Sequence, residues 1–334
     1  MLSSSCARMS FLFGLILAIA PQAAAQQQPP PADPLTAHVD VSDVERFAAL
    51  WKKTNGHPTA AQIDSEYIQG GGLGVKIYTP LRIKDGANME QQIAAHNDWY
   101  EQALDRCLPW VAANDAQLRS IYLGLHGLMP EKPLPQIYMV IGGANSGGTA
   151  APGAQVIGLE IVCRDAPTPE KFAEELRTFF AHETAHTFQG DIDHSPIALK
   201  EPLLALILNE GSADYVASVV TGASPNPARD QFGAAHEAEI WAQFVKDRAI
   251  ANAHFKGGFD AVGREVQGHW LYNQGKGKLP GWETDMGYWL GMQIVKAYVE
   301  QSADPYAAIR EALAEQDPAE ILRESHYADK FKSR

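Results

Sequence analysis

Two histidines and a glutamate stand together in His182-Glu183-Thr184-Ala185-His186, an H-E-x-x-H pattern. A chain with 11 histidines shows that pattern by accident only roughly 0.02 times. The surrounding stretch has helical periodicity. On a helix, Phe172, Leu176 and Phe179 mark one apolar face, Glu183 and His186 fall within about 40° of it, and His182 lies about 80° away. Ionisable groups that continue an apolar stripe are unfavourable to bury unless something neutralises them. Two imidazoles one turn apart can share a zinc ion, and the glutamate between them then faces a water on that ion. The spacing therefore predicts one Zn2+ per chain, with His182 and His186 as ligands and Glu183 as general base. The competing reading is a helix whose histidines are satisfied by ordinary hydrogen bonds.

A second segment weighs against that competitor. Leu203 to Val220 reads LLALILNEGSADYVASVV, apolar all round except for Glu210 and Asp214, which lie one turn apart on the same side. Two carboxylates on a buried helix need cations, and no Lys or Arg lies between Lys200 and Arg229. Glu210 is expected as the third zinc ligand. Asp214 is expected to accept the free N–H of a ligand histidine and so fix its tautomer.

With these residues the chain resembles the gluzincin zinc metallopeptidases, and in particular bacterial predicted Zn-dependent proteases of unassigned substrate. The resemblance runs from about Thr168 to Val220, with a looser echo in Gly287-Tyr288-Trp289-Leu290-Gly291. In the thermolysin-like members the ligand glutamate is likewise followed four residues later by an aspartate that supports a histidine, the spacing of Glu210 and Asp214 here. The interval from His186 to Glu210 is a few residues longer than in the best-known gluzincins, and no G-x-M-E-N segment is present, so the aminopeptidase branch is not supported. The resemblance implies a zincin-like core, hydrolysis of peptide bonds in a peptide or protein substrate, and a tyrosine or histidine that donates to the tetrahedral oxyanion. Tyr288 is the first choice for that catalytic role, with His269 and Tyr272 behind it. The Gly287/Gly291 spacing around Tyr288 equally suits close helix packing. Such substrates lie extended on a sheet edge, for which Gln155 to Cys163 is the candidate, with a mobile glycine-rich flap at Gly142 to Gly153. Asp191, Asp193 and His194 are reserve ligands from a loop whose other reading is a solvated turn.

The elements that must position these groups are mostly helical. The chain has 334 residues, 46% of them hydrophobic, enough for a sizeable core. Its net charge of −13, without a basic run, argues against nucleic acid as a partner. Arg8, the apolar run Phe11 to Ala20 and the small residues Ala23 to Ala25 read as a signal peptide over residues 1–25. Ten apolar residues are too short to span about 30 Å of hydrocarbon, so no stable membrane insertion is expected after cleavage, and the address is extracytoplasmic, periplasmic or secreted. Residues 26–39 (QQQPPPAD and after) read as a disordered tether. A helical N-terminal region follows over 40–130, then a catalytic region over 131–334 containing two short strands, Gln136 to Ile141 and Gln155 to Cys163. Helices are expected over Pro169 to Gln189, Pro202 to Val220, Phe232 to Ala253 and Glu283 to Gln301. The expected fold class is α+β, predominantly helical, with a small sheet beside the active-site helix. Cys107 and Cys163 are either one disulfide or two buried thiols. A different functional class also fits this composition: a non-catalytic envelope protein in which zinc is structural and the helical surface binds a partner.

Overall fold

The computed structural model describes residues 28–332 except 165, 193, 274–276 and 315–316. The signal peptide expected over residues 1–25 lies outside the described residues, as does Asp193. The fold is predominantly helical α+β with one small mixed sheet.

The N-terminal region is a chain of short helices: α1 (Ser42–Lys53), α2 (Ala60–Gln62), α3 (Leu73–Tyr78), α4 (Gly86–Ala95), α5 (Asn97–Gln102) and α6 (Asp115–Leu128). Wide π-helical turns at Ile63–Ile68, Thr79–Ile83 and Ala103–Cys107 join several of them. Val44, Phe47 and Leu50 of α1 are buried while Trp51 is only partly so, an amphipathic face turned to the core.

The sheet has four strands, β1 (Val39–Asp40), β2 (Gln136–Val140), β3 (Gly148–Ala151) and β4 (Ala154–Gly158), in the order β1-β2-β4-β3. β2 runs parallel to β1 and to β4, with Ile137 opposite both Val39 and Gln155, and β3 is antiparallel to β4 with Thr149 opposite Val156. Two expectations fail here. The strand expected over Gln155 to Cys163 ends at Gly158, and the chain turns at once into α7 (Leu159–Arg164). A short apolar run buried on every side reads alike as strand or helix, so periodicity could not separate them. Moreover β4 is interior, all five residues buried, and the edge on its side of the sheet is β3, drawn from the glycine-rich stretch expected to be loop. An edge strand held by backbone hydrogen bonds needs no core side chains. Small residues are in fact required at its start: a Cβ on Gly147 or Gly148 would crowd the Phe179 ring.

After the sheet come α8 (Pro169–His186), α9 (Pro202–Thr221), α10 (Pro227–Ala253), α11 (Ala261–Trp270), α12 (Met286–Gln301), α13 (Pro305–Ala314) and α14 (Pro318–Glu324). Thr168 caps α8, its hydroxyl accepting from Lys171 N–H, with Pro169 at the first helical position. The long helix α9 ends at Gly222 in the left-handed conformation, φ 67°. It is apolar enough to cross a bilayer by composition, but two thirds of it is buried inside this fold.

Two further findings bear on the expected organisation. Cys107 and Cys163 are joined as a disulfide, Cα atoms 5.9 Å apart, tying the N-terminal region to α7. The part of the expected tether that is described does not hang free: Ala32 N–H donates to Leu134 O, Gln136 Nε2 donates to Pro30 O, and Ala32 and Ala37 are buried. The prolines remove donors but leave carbonyls, and these carbonyls and small side chains suffice to lay the segment along the sheet. N-terminal and C-terminal regions share one hydrophobic core.

Candidate metal centre

The core face of α8 is Phe172, Leu176, Phe180, Ala181, Thr184 and Ala185. Phe179 is not in it. Phe179 and Glu183 lie at the boundary, only partly buried, beside a cleft of about 580 Å³ between α8, α9, α12 and the edge strand β3. His182, Glu183, His186, Glu210, Asp214, Tyr272 and Tyr288 all line this cleft. The H-E-x-x-H residues therefore flank the apolar stripe instead of continuing it.

α9 reaches the cleft because its crossing with α12 is made of bare backbone. A side chain on either Gly211 or Gly291 would collide with the main chain of the opposite helix. This crossing puts Glu210, beside Gly211, against the histidines, and it puts Tyr288, one turn before Gly291, over them. The rings of Tyr288 and His182 lie nearly parallel, centroids 5.9 Å apart.

His182 Nε2 and His186 Nε2 are 2.9 Å apart. Glu210 Oε2 is 3.3 Å from the first and 3.2 Å from the second. Ligand atoms held about 2.0–2.2 Å from one tetrahedral ion stand about 3.3 Å from each other, so the spacing suits a shared metal. The protons agree. His182 Nδ1 lies 2.8 Å from Asp214 Oδ1, which can only accept, so the ring donates there, and the neutral ring turns the Nε2 lone pair to the cluster. His186 Nδ1 lies 2.6 Å from Gln189 Oε1. The Gln189 amide is oriented by its own Nε2, which donates to Asn209 O and Ser212 Oγ, while its Oε1 also accepts from Asn209 Nδ2. His186 Nδ1 is thus a donor as well, and the neutral ring likewise turns its Nε2 lone pair to the cluster. Glu210 Oε2 is buried with no hydrogen-bond partner, while Oε1 accepts from Tyr272 Oη at 2.6 Å. The two Nε2 atoms and Glu210 Oε2 face one point, a group that could hold a metal ion.

The electrostatics point the same way. Burial opposes charge on His182, yet Asp214 and Glu210 hold it well above the ordinary imidazole value. Burial likewise opposes the charge on Glu210, and the two histidines hold it below the usual carboxylate range. The site attracts positive charge. Asp214 is also paired with Arg229 Nη2 and stays below the ordinary carboxylate value despite its burial. The Arg229 guanidinium lies 4.9 Å above the Tyr288 ring. Burial, with the Glu210 charge close by, pushes the Tyr288 phenol well above its usual value, which keeps it an O–H donor.

Among the reserve candidates, Tyr272 lies in the cleft, and its backbone is left-handed, φ 57°. His269 does not: it pairs with buried Asp247, which also accepts from Trp270 Nε1. Asp191 and His194 pair with each other in an exposed turn. Three residues escaped the sequence reading. Gln189 could have been found from its place one turn after His186, and Asn209 from its place beside Glu210. Arg229 lies fifteen residues beyond Asp214 on the next helix, so the spacing within α9 carries no sign of their pairing.

Comparison with known proteins adds one family. Residues 273–329 match the family described as gliding motility protein GldB, a span that contains α12 and Tyr288 but none of the three proposed ligands. No curated protein and no solved structure matches the chain.

Proposed function

We propose that this chain is an exported zinc-dependent metallopeptidase that hydrolyses peptide bonds. The observation that carries the reading is the convergence of His182 Nε2, His186 Nε2 and Glu210 Oε2, both rings anchored through Nδ1, in an open cleft beside the outer strand β3. Those three side chains would hold the ion, which supplies a Lewis acid and lowers the pKa of water towards neutrality.

The remaining chemistry belongs to the chain. Glu183 lines the cleft from the turn between the two histidines, where its carboxylate can take a proton from the attacking water and return it to the leaving amine. Tyr288 offers its O–H to the oxyanion. Asp214 and Gln189 hold the two rings in the tautomer that presents Nε2. The outer edge of β3, which borders the cleft, offers unpaired main-chain groups to an extended peptide, and recognition of this kind makes little demand on substrate side chains.

A non-catalytic envelope protein with structural zinc is the competing reading. A structural site closes with four protein ligands, whereas three converge here among the described residues and the fourth side faces a cleft that contains Glu183. The disulfide, the export signal read from the sequence and the match to a gliding motility family agree with an extracytoplasmic, envelope-associated address, which we assign to the periplasm or the secreted fraction.

The test is elemental analysis of protein purified without added zinc, with assay against extended peptides before and after chelation. About one zinc per chain is expected, with hydrolysis that stops on chelation and returns with zinc. Protein that retains no zinc, or hydrolysis indifferent to chelator, would overturn the proposal.

A further inference from the structure

The segment 141–146 leads from β2 to the edge strand β3 and opens the stretch Gly142 to Gly153 that was expected as a mobile flap. Its surroundings are those of an anchored loop. Tyr67, in the π-helical turn Ile63–Ile68, donates its hydroxyl to Ile141 O at 2.7 Å and accepts from Ile141 N–H at 2.9 Å. Tyr100, in α5, donates to Gly142 O at 3.1 Å, and Tyr78, at the end of α3, donates to Ser146 O at 2.6 Å. From below, Glu160 of α7 accepts from Gly142 N–H at 3.0 Å and Ala144 N–H at 3.3 Å. All three rings and Glu160 are fully buried. Ala144 is held in the left-handed region, φ 56°, which alanine rarely adopts without such restraint. Asn145 Nδ2 adds a bond to Arg82 O.

Four buried side chains from four separate elements thus converge on six residues that do no chemistry, and each contacts main chain, not side chain. Hydroxyls reaching backbone carbonyls at such depth set position, because any displacement of the loop would strand a buried polar group. Two residues beyond Ser146 the chain becomes β3, which borders the cleft. The disulfide Cys107–Cys163 fastens α7, and with it Glu160, to the same N-terminal frame.

We propose that the N-terminal helical region is the positioning frame of the cleft, and that Tyr67, Tyr78, Tyr100 and Glu160 are positioning residues that set the register and distance of the edge strand β3 against an extended peptide ligand. This rests on the peptidase reading for its ligand, but the placement of the strand can be measured without it.

Tyr78→Phe and Tyr67→Phe, in the full chain loaded with zinc, each remove hydroxyl contacts to the loop outside the proposed metal centre. Tyr327→Phe is the control, since that buried hydroxyl donates instead to Glu237. Backbone amides of residues 147–151 are expected to exchange with deuterium about tenfold faster in the two test variants and unchanged in the control. With an extended peptide substrate, KM should rise about fivefold or more with kcat within about twofold, zinc content staying at the wild-type level. Unchanged exchange at 147–151 in both variants overturns the proposal, and so does faster exchange in an active enzyme whose KM does not move. If the wild-type chain hydrolyses no peptide, the peptidase reading falls, while the exchange comparison still decides whether these tyrosines hold the strand.

Discussion

The Nε2 atoms of His182 and His186 face each other across 2.9 Å, while each ring is anchored through Nδ1, to Asp214 and Gln189 respectively. Between two neutral rings at that distance, with Glu210 Oε2 beside both, the lone pairs repel one another, and a cation placed among them, a metal ion or a proton, relieves the repulsion.

Replacing Glu183 by Gln leaves the three proposed ligands untouched and removes only the proton acceptor. Zinc content should stay near the wild-type level while kcat for peptide hydrolysis falls by about 10³-fold, within the range of lost general-base catalysis. Stopped-time assays with matched metal analysis check it, and hydrolysis at the wild-type rate would refute the role given to Glu183.

Asp214→Asn keeps the shape of the side chain but loses the charge that orients His182 and pairs with Arg229. Gln189→Ala removes the acceptor for His186 Nδ1. Each should weaken zinc binding by about 10–100-fold, as loss of outer-shell partners does elsewhere. Competition with a chromogenic chelator measures this, and wild-type affinity in both variants would mean that the rings are held by something else.

Glu160 controls a pH dependence of stability. Full burial pushes its carboxyl up from 4.5 to about 7, partly offset by the N–H donors of Gly142 and Ala144. Between those values the folded chain holds a proton that the unfolded chain has released, so stability from this group is complete below about pH 4.5 and is lost as pH rises through 7, a change of about 3 kcal/mol. Glu160→Gln should flatten that part of the profile. Urea unfolding from pH 4.5 to 8 decides it: equal slopes in both proteins would contradict the assignment.

Reducing the Cys107–Cys163 disulfide frees a closed loop with a sequence separation of 56 residues. The chain-entropy relation gives a loss of up to about 4 kcal/mol, seen as a lower urea midpoint in the presence of reductant. A midpoint that does not move would show that the bond contributes nothing to the folded state.

Much of the candidate site was legible because its parts are local. His182, Glu183 and His186 sit within two turns of one helix, and Glu210 with Asp214 within one turn of another, so helical geometry alone orders each pair. The competing polar residues were equally readable where the contact is local, as in the exposed Asp191–His194 turn. The long helices came out within a few residues because caps and apolar periodicity act over neighbouring turns, as Thr168 and Pro169 do for α8.

What the chain order could not reveal is everything that depends on one backbone approaching another. Whether Gln155 to Cys163 is strand or helix was decided by which neighbours cover it, and the start of the edge strand β3 passes beside the Phe179 ring only because Gly147 and Gly148 carry no Cβ. The partnership of Asp214 with Arg229, the crossing of Gly211 with Gly291 that lifts Tyr288 over His182, and the three tyrosines that hold loop 141–146 all join residues far apart in sequence. Periodicity along one element says which way a side chain points. Only the assembled core says what it meets there, because close contact is set by the joint shape of several elements and not by the spacing within any one of them.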